Sequence, residues 1–141
     1  MKFEALKSSF SADARILEML KQSLASQPQY RKTLLVQYRE SFIPLQISEI
    51  AVFFVDNEIL YVYTFDQQKY AVYRPLGEIE AELNSSEFFR ISRQALINRK
   101  AVKEVQPYFN RKVSIHTPIK LPETLVVSRL KVSEFMKWLE E

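Results

Sequence analysis

Glycine and cysteine are almost missing from this chain of 141 residues, which has one glycine, Gly77, and no cysteine. A loop that cradles phosphate groups needs several residues without a Cβ, so a Gly-rich nucleotide site is excluded. The lack of cysteine excludes disulfides, thiolate metal sites and cysteine nucleophiles. His116 is the only histidine, and zinc needs several nitrogen or sulfur ligands. We therefore expect neither a metal nor another cofactor.

Long apolar runs are also missing. The first ten residues lack the apolar core of a signal peptide. The longest run, residues 47–64, is interrupted by Glu49, Asp56 and Glu58, so it is too polar to span a bilayer. These features predict a cytoplasmic protein without a membrane segment.

Catalytic motifs are equally scarce. The serines do not lie in the G-x-S-x-G turn of a nucleophilic hydrolase. A single histidine near the end of a predicted strand is more typical of a structural or exposed residue than of a catalytic one. The sequence therefore does not favour an enzyme.

Basic residues are concentrated in the second half of the chain. Residues 1–85 have nine Lys and Arg against eleven Asp and Glu, a net charge of −2, whereas residues 86–141 have eleven against six, a net charge of +5. Between Arg90 and Lys112, seven basic residues accompany one acid, Glu104. Such a stretch is typical of an anion-binding surface, although a solvated face would have the same composition.

The hydrophobic pattern predicts a mainly β protein. An amphipathic helix is expected from Ser11 to Ser26, because apolar residues recur there at helical spacing. From Arg31 onward, short runs rich in Val, Ile, Tyr, Phe and Thr predict antiparallel strands. The predicted strands are 33–38, 42–45, 51–55, 59–64, 69–73, 88–91, 102–108, 112–117 and 124–127, while 95–101 is ambiguous.

Two further helices are predicted. A short one spans residues 76–83, and a final one spans Arg129 to Glu140, with Ser128 as its N-cap. Leu130, Phe135, Trp138 and Leu139 are expected to form the buried side of the final helix. Composition changes near residues 27–30, which suggests an N-terminal helix or linker over 1–30 and one domain over 31–141.

Three separate stretches have the side chains that nucleic-acid binding requires, namely Lys and Arg for phosphates and Arg, Asn or Gln for base edges. They are residues 90–100, the predicted hairpin tip 110–112, and the start of the last helix at 128–131. Only a fold that brings these stretches to one surface would make them a binding face.

The same stretches resemble the LytTR DNA-binding family. The most specific block is Phe88-Phe89-Arg90-Ile91-Ser92-Arg93-Gln94-Ala95-Leu96-Ile97-Asn98, and Val126-Val127-Ser128-Arg129 before a short amphipathic helix adds to it. The resemblance covers roughly residues 32–139. It implies an elongated fold of several antiparallel sheets whose loops enter successive major grooves of double-stranded DNA.

The resemblance also implies roles for individual residues. Arg93, Arg129 and, in a short acidic turn, Asn57 are the candidates for reading bases. The chain has Ser92 where the family often has His, and Gln94 where it often has Ser, so the target sequence stays open. Phosphate or supporting contacts are expected from Ser92, Asn98, Arg99, Lys100, Asn110, Arg111, Lys112, Ser128 and Lys131.

The partners follow from the same resemblance. We expect double-stranded DNA with repeated half-sites and self-association on DNA, for which the helix from Ser11 to Ser26 is the candidate interface. Residues 2–6 resemble the end of a receiver domain, which would make the chain the C-terminal output domain of a response regulator, downstream of a sensor histidine kinase. A freestanding DNA-binding protein is the other possibility. The alternative function is a non-enzymatic β-module that binds another protein.

Overall fold

Alternating apolar side chains account for most of the chain's strands. The structure is a computed structural model that describes residues 14–17, which are helical, and 29–141. In this part of the chain the strands are β1 (Thr33–Tyr38), β2 (Ser41–Gln46), β3 (Ile50–Asp56), β4 (Ile59–Thr64), β5 (Lys69–Val72), β6 (Phe88–Arg90), β7 (Ala95–Asn98), β8 (Glu104–Pro107), β9 (Val113–His116) and β10 (Leu125–Val127). The helices are α1 (Leu76–Glu82) and α2 (Val132–Glu140).

The strands form two antiparallel sheets. The larger sheet has the order β2-β1-β5-β4-β3-β7-β6, and the smaller has the order β10-β9-β8. Short 3-10 turns lie at Ile47–Glu49, Arg99–Ala101, Phe109–Arg111 and Arg129–Lys131. The mainly β, multi-sheet antiparallel fold expected from the sequence is thereby confirmed.

The inner strands of the larger sheet are covered on both faces. On one face, Leu34, Val62 and Leu96 pack in one core with Leu76 and Ile79 of α1. On the other face, a second core joins residues of β3 and β7 to the smaller sheet and to α2. Its fully or nearly fully buried members include Val52, Phe54, Ile97, Ile115, Leu125, Phe135 and Trp138. The two cores fix the loops at the sheet's edges relative to both helices.

Helix α2 is held to the sheet by polar as well as apolar contacts. The indole Nε1 of Trp138 donates a hydrogen bond to the carbonyl of Ser85 at 2.7 Å. Arg99 donates from Nε to the carbonyl of Ser86 and from Nη1 to the carbonyl of Trp138, at 2.9 and 2.6 Å. Its guanidinium also lies 4.2 Å from the centre of the Trp138 ring, a cation–π contact.

Ion pairs fix helix α1 to its surroundings. Arg74 contacts the carboxylates of both Glu78 and Glu82. Arg31, near the start of the described domain, also contacts the Glu82 carboxylate and donates its backbone N–H to the Glu82 carbonyl. Hydrogen bonds from Arg74 and Arg31 lower the pKa of Glu82 below its usual value, because they stabilise the carboxylate.

The last helix differs from its prediction. Residues 129–131 form a 3-10 turn and the α-helix begins at Val132. Leu130 therefore falls outside the helical register, and its side chain is 87% exposed rather than buried. Ser128 makes no side-chain capping bond to the turn. Phe135 and Trp138 are buried as expected.

The structure resolves the ambiguity at residues 95–101 but does not test the expectations for the first 30 residues. The ambiguous segment 95–101 divides into strand β7 and a 3-10 turn. The predicted helix from Ser11 to Ser26 and the division at residue 30 stay predictions, since most of residues 1–28 lie outside the described part of the chain. Among the described residues, we found no helix with the length and apolar character needed to cross a bilayer.

Candidate nucleic-acid interface

The turn between β3 and β4 presents Asn57 at the loop edge of the larger sheet, where these two inner strands end. Asn57 and Glu58 have φ angles of 50° and 66°, as in the two-residue turns whose twist matches a β-hairpin. Both side chains are exposed. Next to the turn, the backbone N–H of Val55 donates to the carbonyl of Gln94 at 2.8 Å. The Asn57 turn is therefore attached to the loop that contains Arg93.

Arg93 lies in the short loop between β6 and β7. The loop is closed by a backbone hydrogen bond from Ile91 to Ala95 at 3.1 Å, and Ser92 Oγ accepts from the N–H of Gln94 at 3.2 Å. The Arg93 side chain is exposed and makes no hydrogen bond or ion pair with another described residue. Its five N–H donors are therefore available to a ligand.

The Arg90 side chain is hydrogen-bonded to the backbone of this loop. Its guanidinium donates to the carbonyls of Ser92 and Arg93 at 2.8 and 2.6 Å, and to a carboxylate oxygen of Glu80 at 2.9 Å. The sequence shows Arg90 only as one member of a basic stretch. Its structural role depends on a contact with α1, which spacing along the chain does not show.

The segment before α2 is attached to the same loop. Ser128 donates its backbone N–H and, more weakly, its hydroxyl to the carbonyl of Ile91, at 3.0 and 3.3 Å. Lys131 Nζ donates to the carbonyl of Arg90 at 3.1 Å. Arg129, between these two anchors, is exposed, and the ion pairs found among the described residues do not include it.

The β8–β9 hairpin ends beside these loops. Tyr108 and Lys112 are joined by a backbone hydrogen bond of 2.9 Å, and Asn110 and Arg111 between them have φ angles of 55° and 61°. The tip is exposed, and Phe109 is 77% exposed. Tyr108 and Lys112 line a groove of about 570 Å³ together with residues of the other two segments, including Ser92, Gln94 and Ser128.

Three predicted contact residues lie elsewhere. Asn98 ends β7, and Arg99 and Lys100 follow it. At about 3.3 Å per residue this end of the strand is roughly 10 Å from the Arg93 loop or more. Asn98 is buried, donates to the carbonyl of Ile50 and accepts from the N–H of Lys100. Arg99 is used in docking α2, so both residues have supporting contacts within the protein. Lys100 has an exposed side chain.

The geometry brings Asn57, Arg93 and Arg129 to adjoining segments at one edge. Backbone hydrogen bonds join the three segments, and the exposed Arg111 lies on the neighbouring hairpin. An arginine with free donors can bind guanine O6 and N7 in the major groove, or a phosphate. The acids Asp56 and Glu58 flank Asn57, so this turn is less suited to phosphate than the other two segments.

Groups for metal or acid–base chemistry do not gather at this edge. Within the described residues, we found no cluster of three or more His, Cys, Asp or Glu side chains arranged to hold a metal ion. His116 is an exposed residue of β9, outside the three adjoining segments.

Exposed arginines on hydrogen-bonded loops at one edge of a multi-sheet β fold are suited to binding DNA, and comparison with known proteins assigns the chain to a class of DNA-binding domains. The family model for the LytTr DNA-binding domain matches residues 40–140. The chain belongs to the LytTR family of DNA-binding domains. The matched range includes the loops that contain Asn57, Arg93 and Arg129.

Two individual proteins are similar to this chain. It is 31% identical over 100 residues to the sensory transduction protein LytT of Bacillus subtilis (strain 168), a match that covers 71% of this chain and 40% of that protein. A solved structure described as the LytTr DNA-binding domain of a response regulator from Bacillus cereus superposes with a TM-score of 0.68 at 20% identity. That match covers 79% of this chain and 99% of the solved domain, which supports the fold.

Proposed function

We propose that this chain binds double-stranded DNA sequence-specifically and regulates transcription as the output domain of a response regulator. Arg93 and Arg129 read base edges in the major groove, and Asn57 contributes a third, weaker contact. Ser92, Asn110, Arg111, Lys112 and Ser128 surround them and contact phosphates or support the reading loops. Asn98, Arg99 and Lys131 act through the protein's own backbone.

One observation carries this proposal. The segments that contain Arg93 and Arg129 are 36 positions apart in sequence, yet both are anchored at the short strand end formed by Arg90 and Ile91. Both guanidinium groups remain exposed and unpaired among the described residues. Rigid anchoring favours base reading, because a bidentate contact requires a fixed position of the arginine relative to the base pair.

The wider context follows from family membership. Since the chain spans 40% of the LytT protein of Bacillus subtilis, the partners of a whole regulator are proposals here. We propose a receiver domain and a sensor histidine kinase upstream, a cytoplasmic location, and DNA with repeated half-sites on which two copies associate. Catalysis has no role in this function.

Selection from a random duplex library tests the proposal. The selected duplex and a scrambled duplex of equal composition are then compared at one salt concentration near physiological. We expect the selected duplex to bind at least a thousand-fold tighter, within the range of specific regulators. Enrichment of no common sequence, or equal affinity for both duplexes, would refute sequence-specific binding.

A protein-binding β-module remains the second candidate, and one surface favours it. Leu35 on β1 and Phe42 on edge strand β2 are 58% and 65% exposed on the same face of the sheet. Exposed apolar side chains on an edge strand are common at protein contacts. If this were the sole function, the chain would retain no duplex DNA at any salt concentration.

A further inference from the structure

Acidic side chains on α1 stand close to the candidate DNA-binding loops. Glu78, Glu80 and Glu82 alternate along the helix, and each is ion-paired. Glu78 and Glu82 bond to Arg74, whose side-chain hydrogen bonds among the described residues go to these two carboxylates and not to the Arg93 loop. Glu80 alone of the three contacts Arg90, the residue behind that loop.

The Arg90 guanidinium connects α1 to the reading loop through three of its N–H groups. Nη1 donates to Glu80, Nε to the carbonyl of Ser92 and Nη2 to the carbonyl of Arg93, at 2.9, 2.8 and 2.6 Å. The three donors belong to one rigid, planar group. A fixed orientation of the guanidinium therefore restrains the Ser92 and Arg93 carbonyls, and with them the backbone from which the Arg93 side chain extends.

Glu80 lies on a helix whose apolar neighbours are packed in the core. The neighbouring residue Ile79 is fully buried, and Leu76 one turn earlier is 5% exposed. The Arg90 and Glu80 side chains are 20% and 42% exposed, so the pair is partly shielded from solvent. Without the Glu80 carboxylate, Arg90 would keep its charge and its two carbonyl acceptors but lose the charged acceptor of Nη1, one of the three that orient its guanidinium.

Two explanations of what Glu80 does in DNA binding can be compared, one from its charge and one from its contact with Arg90. A carboxylate near phosphates is repelled, so its removal should strengthen binding to every duplex. A carboxylate that positions Arg93 through Arg90 should instead improve discrimination between duplexes. Removal of the carboxylate should therefore raise the affinity for every duplex if only its charge matters, and lower the specific-to-random ratio if it positions Arg93.

We propose that Glu80 is a positioning residue for base recognition, acting through Arg90 on the Ser92–Arg93 backbone. The inference rests on the proposed function, since it needs a base pair that Arg93 reads. Glu80 raises the ratio of specific to random affinity and does not raise affinity for random DNA. Its influence is confined to the base pair that Arg93 recognises.

The test uses the full chain and the duplex selected from a random library. Glu80→Gln removes the charge, so that the charge-assisted bond to Arg90 becomes a weaker bond to a neutral amide oxygen, and it keeps a side chain of the same size. Glu78→Gln is the matched control, because it removes the same charge from the same helix at a residue paired with Arg74. Arg90→Lys keeps the positive charge but replaces the planar donor group with a point charge. Arg93→Ala identifies the base pair in question.

We expect Glu80→Gln and Arg90→Lys to lower the specific-to-random ratio about five-fold, the lower end of what one arginine–guanine contact supplies. The loss should disappear on duplexes altered at the Arg93 base pair and persist on duplexes altered at the Arg129 base pair. Glu78→Gln should leave the ratio unchanged. Thermal unfolding within a few degrees of the parent excludes a loss of folded protein.

Other results would overturn the proposal. If Glu80→Gln strengthens binding to all duplexes equally, Glu80 acts only as a charge. If Glu80→Gln and Glu78→Gln reduce the ratio alike, the effect belongs to the helix as a whole. If the parent chain itself does not distinguish the selected duplex, the proposed function fails. If the parent discriminates and Glu80→Gln keeps the same ratio, only the positioning role of Glu80 fails.

Discussion

At the residue scale, four arginines of the positive half of the chain fall into two groups. Arg90 and Arg99 direct their guanidinium groups at backbone carbonyls. Arg93 and Arg129 direct theirs at solvent and have no partner among the described residues. A hydrogen bond to a charged donor contributes more to stability than one between neutral groups, so the first group stabilises the fold. Only the second group has donors free for DNA.

Arg99→Ala should therefore affect folding and not base recognition. The substitution removes two charge-assisted hydrogen bonds and the contact with the Trp138 ring, so we expect unfolding to become easier by about 2–3 kcal/mol. Urea denaturation measures this change. Lys100→Ala, at the adjacent exposed position, is the control and should change stability by less than about 0.5 kcal/mol. Unchanged stability together with weaker specific binding would instead make Arg99 a DNA contact.

Leu130 offers a second prediction at this scale. Its side chain is 87% exposed between Arg129 and Lys131, on the segment that adjoins the Arg93 loop. An apolar side chain in the major groove can contact the methyl group of thymine. Replacing one thymine of the selected duplex with deoxyuridine, which removes only that methyl, should weaken binding by the parent about three-fold or more.

Leu130→Ala should bind the thymine and deoxyuridine duplexes equally. Met136, which is 44% exposed on α2, is the control position, and Met136→Ala should retain the parent's preference. If no single thymine replacement affects the parent, or if Leu130→Ala keeps the preference, Leu130 does not touch a thymine methyl.

At the element scale, the scarcity of glycine means that other residues occupy left-handed backbone positions in the turns. Six described residues other than glycine have positive φ angles: Arg39, Asn57, Glu58, Gln67, Asn110 and Arg111. Left-handed backbone costs roughly 1–2 kcal/mol for most residues other than Gly, Asn and Asp. The single glycine does not relieve this cost, because Gly77 lies in α1 without a positive φ.

Glu58→Gly should therefore stabilise the protein. The second position of this two-residue turn favours glycine, and we expect a gain of about 0.5–1 kcal/mol after the extra chain entropy of glycine is subtracted. Chemical denaturation of parent and variant measures the difference. Glu58→Ala removes the same charge but keeps a Cβ, so it should give little gain. Equal stabilisation by both variants would attribute the effect to charge and contradict the backbone explanation.

Strand bounds were the part of the fold that the sequence predicted best. Thr33–Tyr38 and Ile59–Thr64 were predicted with the bounds that the structure shows, because alternating β-branched and aromatic residues are bounded there by turn residues. Leu130 was predicted wrongly, because helical spacing was extended through a 3-10 turn that changes the register. The segment 95–101 was ambiguous because a buried strand and a short turn share one apolar run.

The candidate site was predictable in part for a similar reason. Residues in loops, such as Arg93 and Arg129, could be named from motif positions. The contact between Glu80 and Arg90 could not, because it depends on how α1 packs against the larger sheet. Nor could the sequence distinguish arginines that bond to carbonyls from those that face solvent, since both count equally as charge.

At the scale of the whole molecule, the positive half of the chain is the proposed source of the phosphate contacts. Seven basic residues lie between Arg90 and Lys112, but Arg90 and Arg99 are used within the protein. Arg93 is assigned to a base, so four basic groups remain for phosphates, and at about −0.9 per contact they predict a slope of about −3.6 for log K against log[salt]. Lys112→Ala should flatten the slope by about one unit, and a parent slope of −1 to −2 would contradict this footprint.

The central claim is that Arg93 and Arg129, held on adjoining loops, read the DNA sequence. The most direct measurement is the affinity ratio between the selected and a random duplex, at one salt concentration, for Arg93→Ala, Arg129→Ala and Lys112→Ala. We expect each arginine variant to lose about 1–3 kcal/mol of discrimination and to lose preference at one base pair. Lys112→Ala should weaken both duplexes equally. A ratio that falls with Lys112→Ala and is unchanged by both arginine variants would contradict the claim.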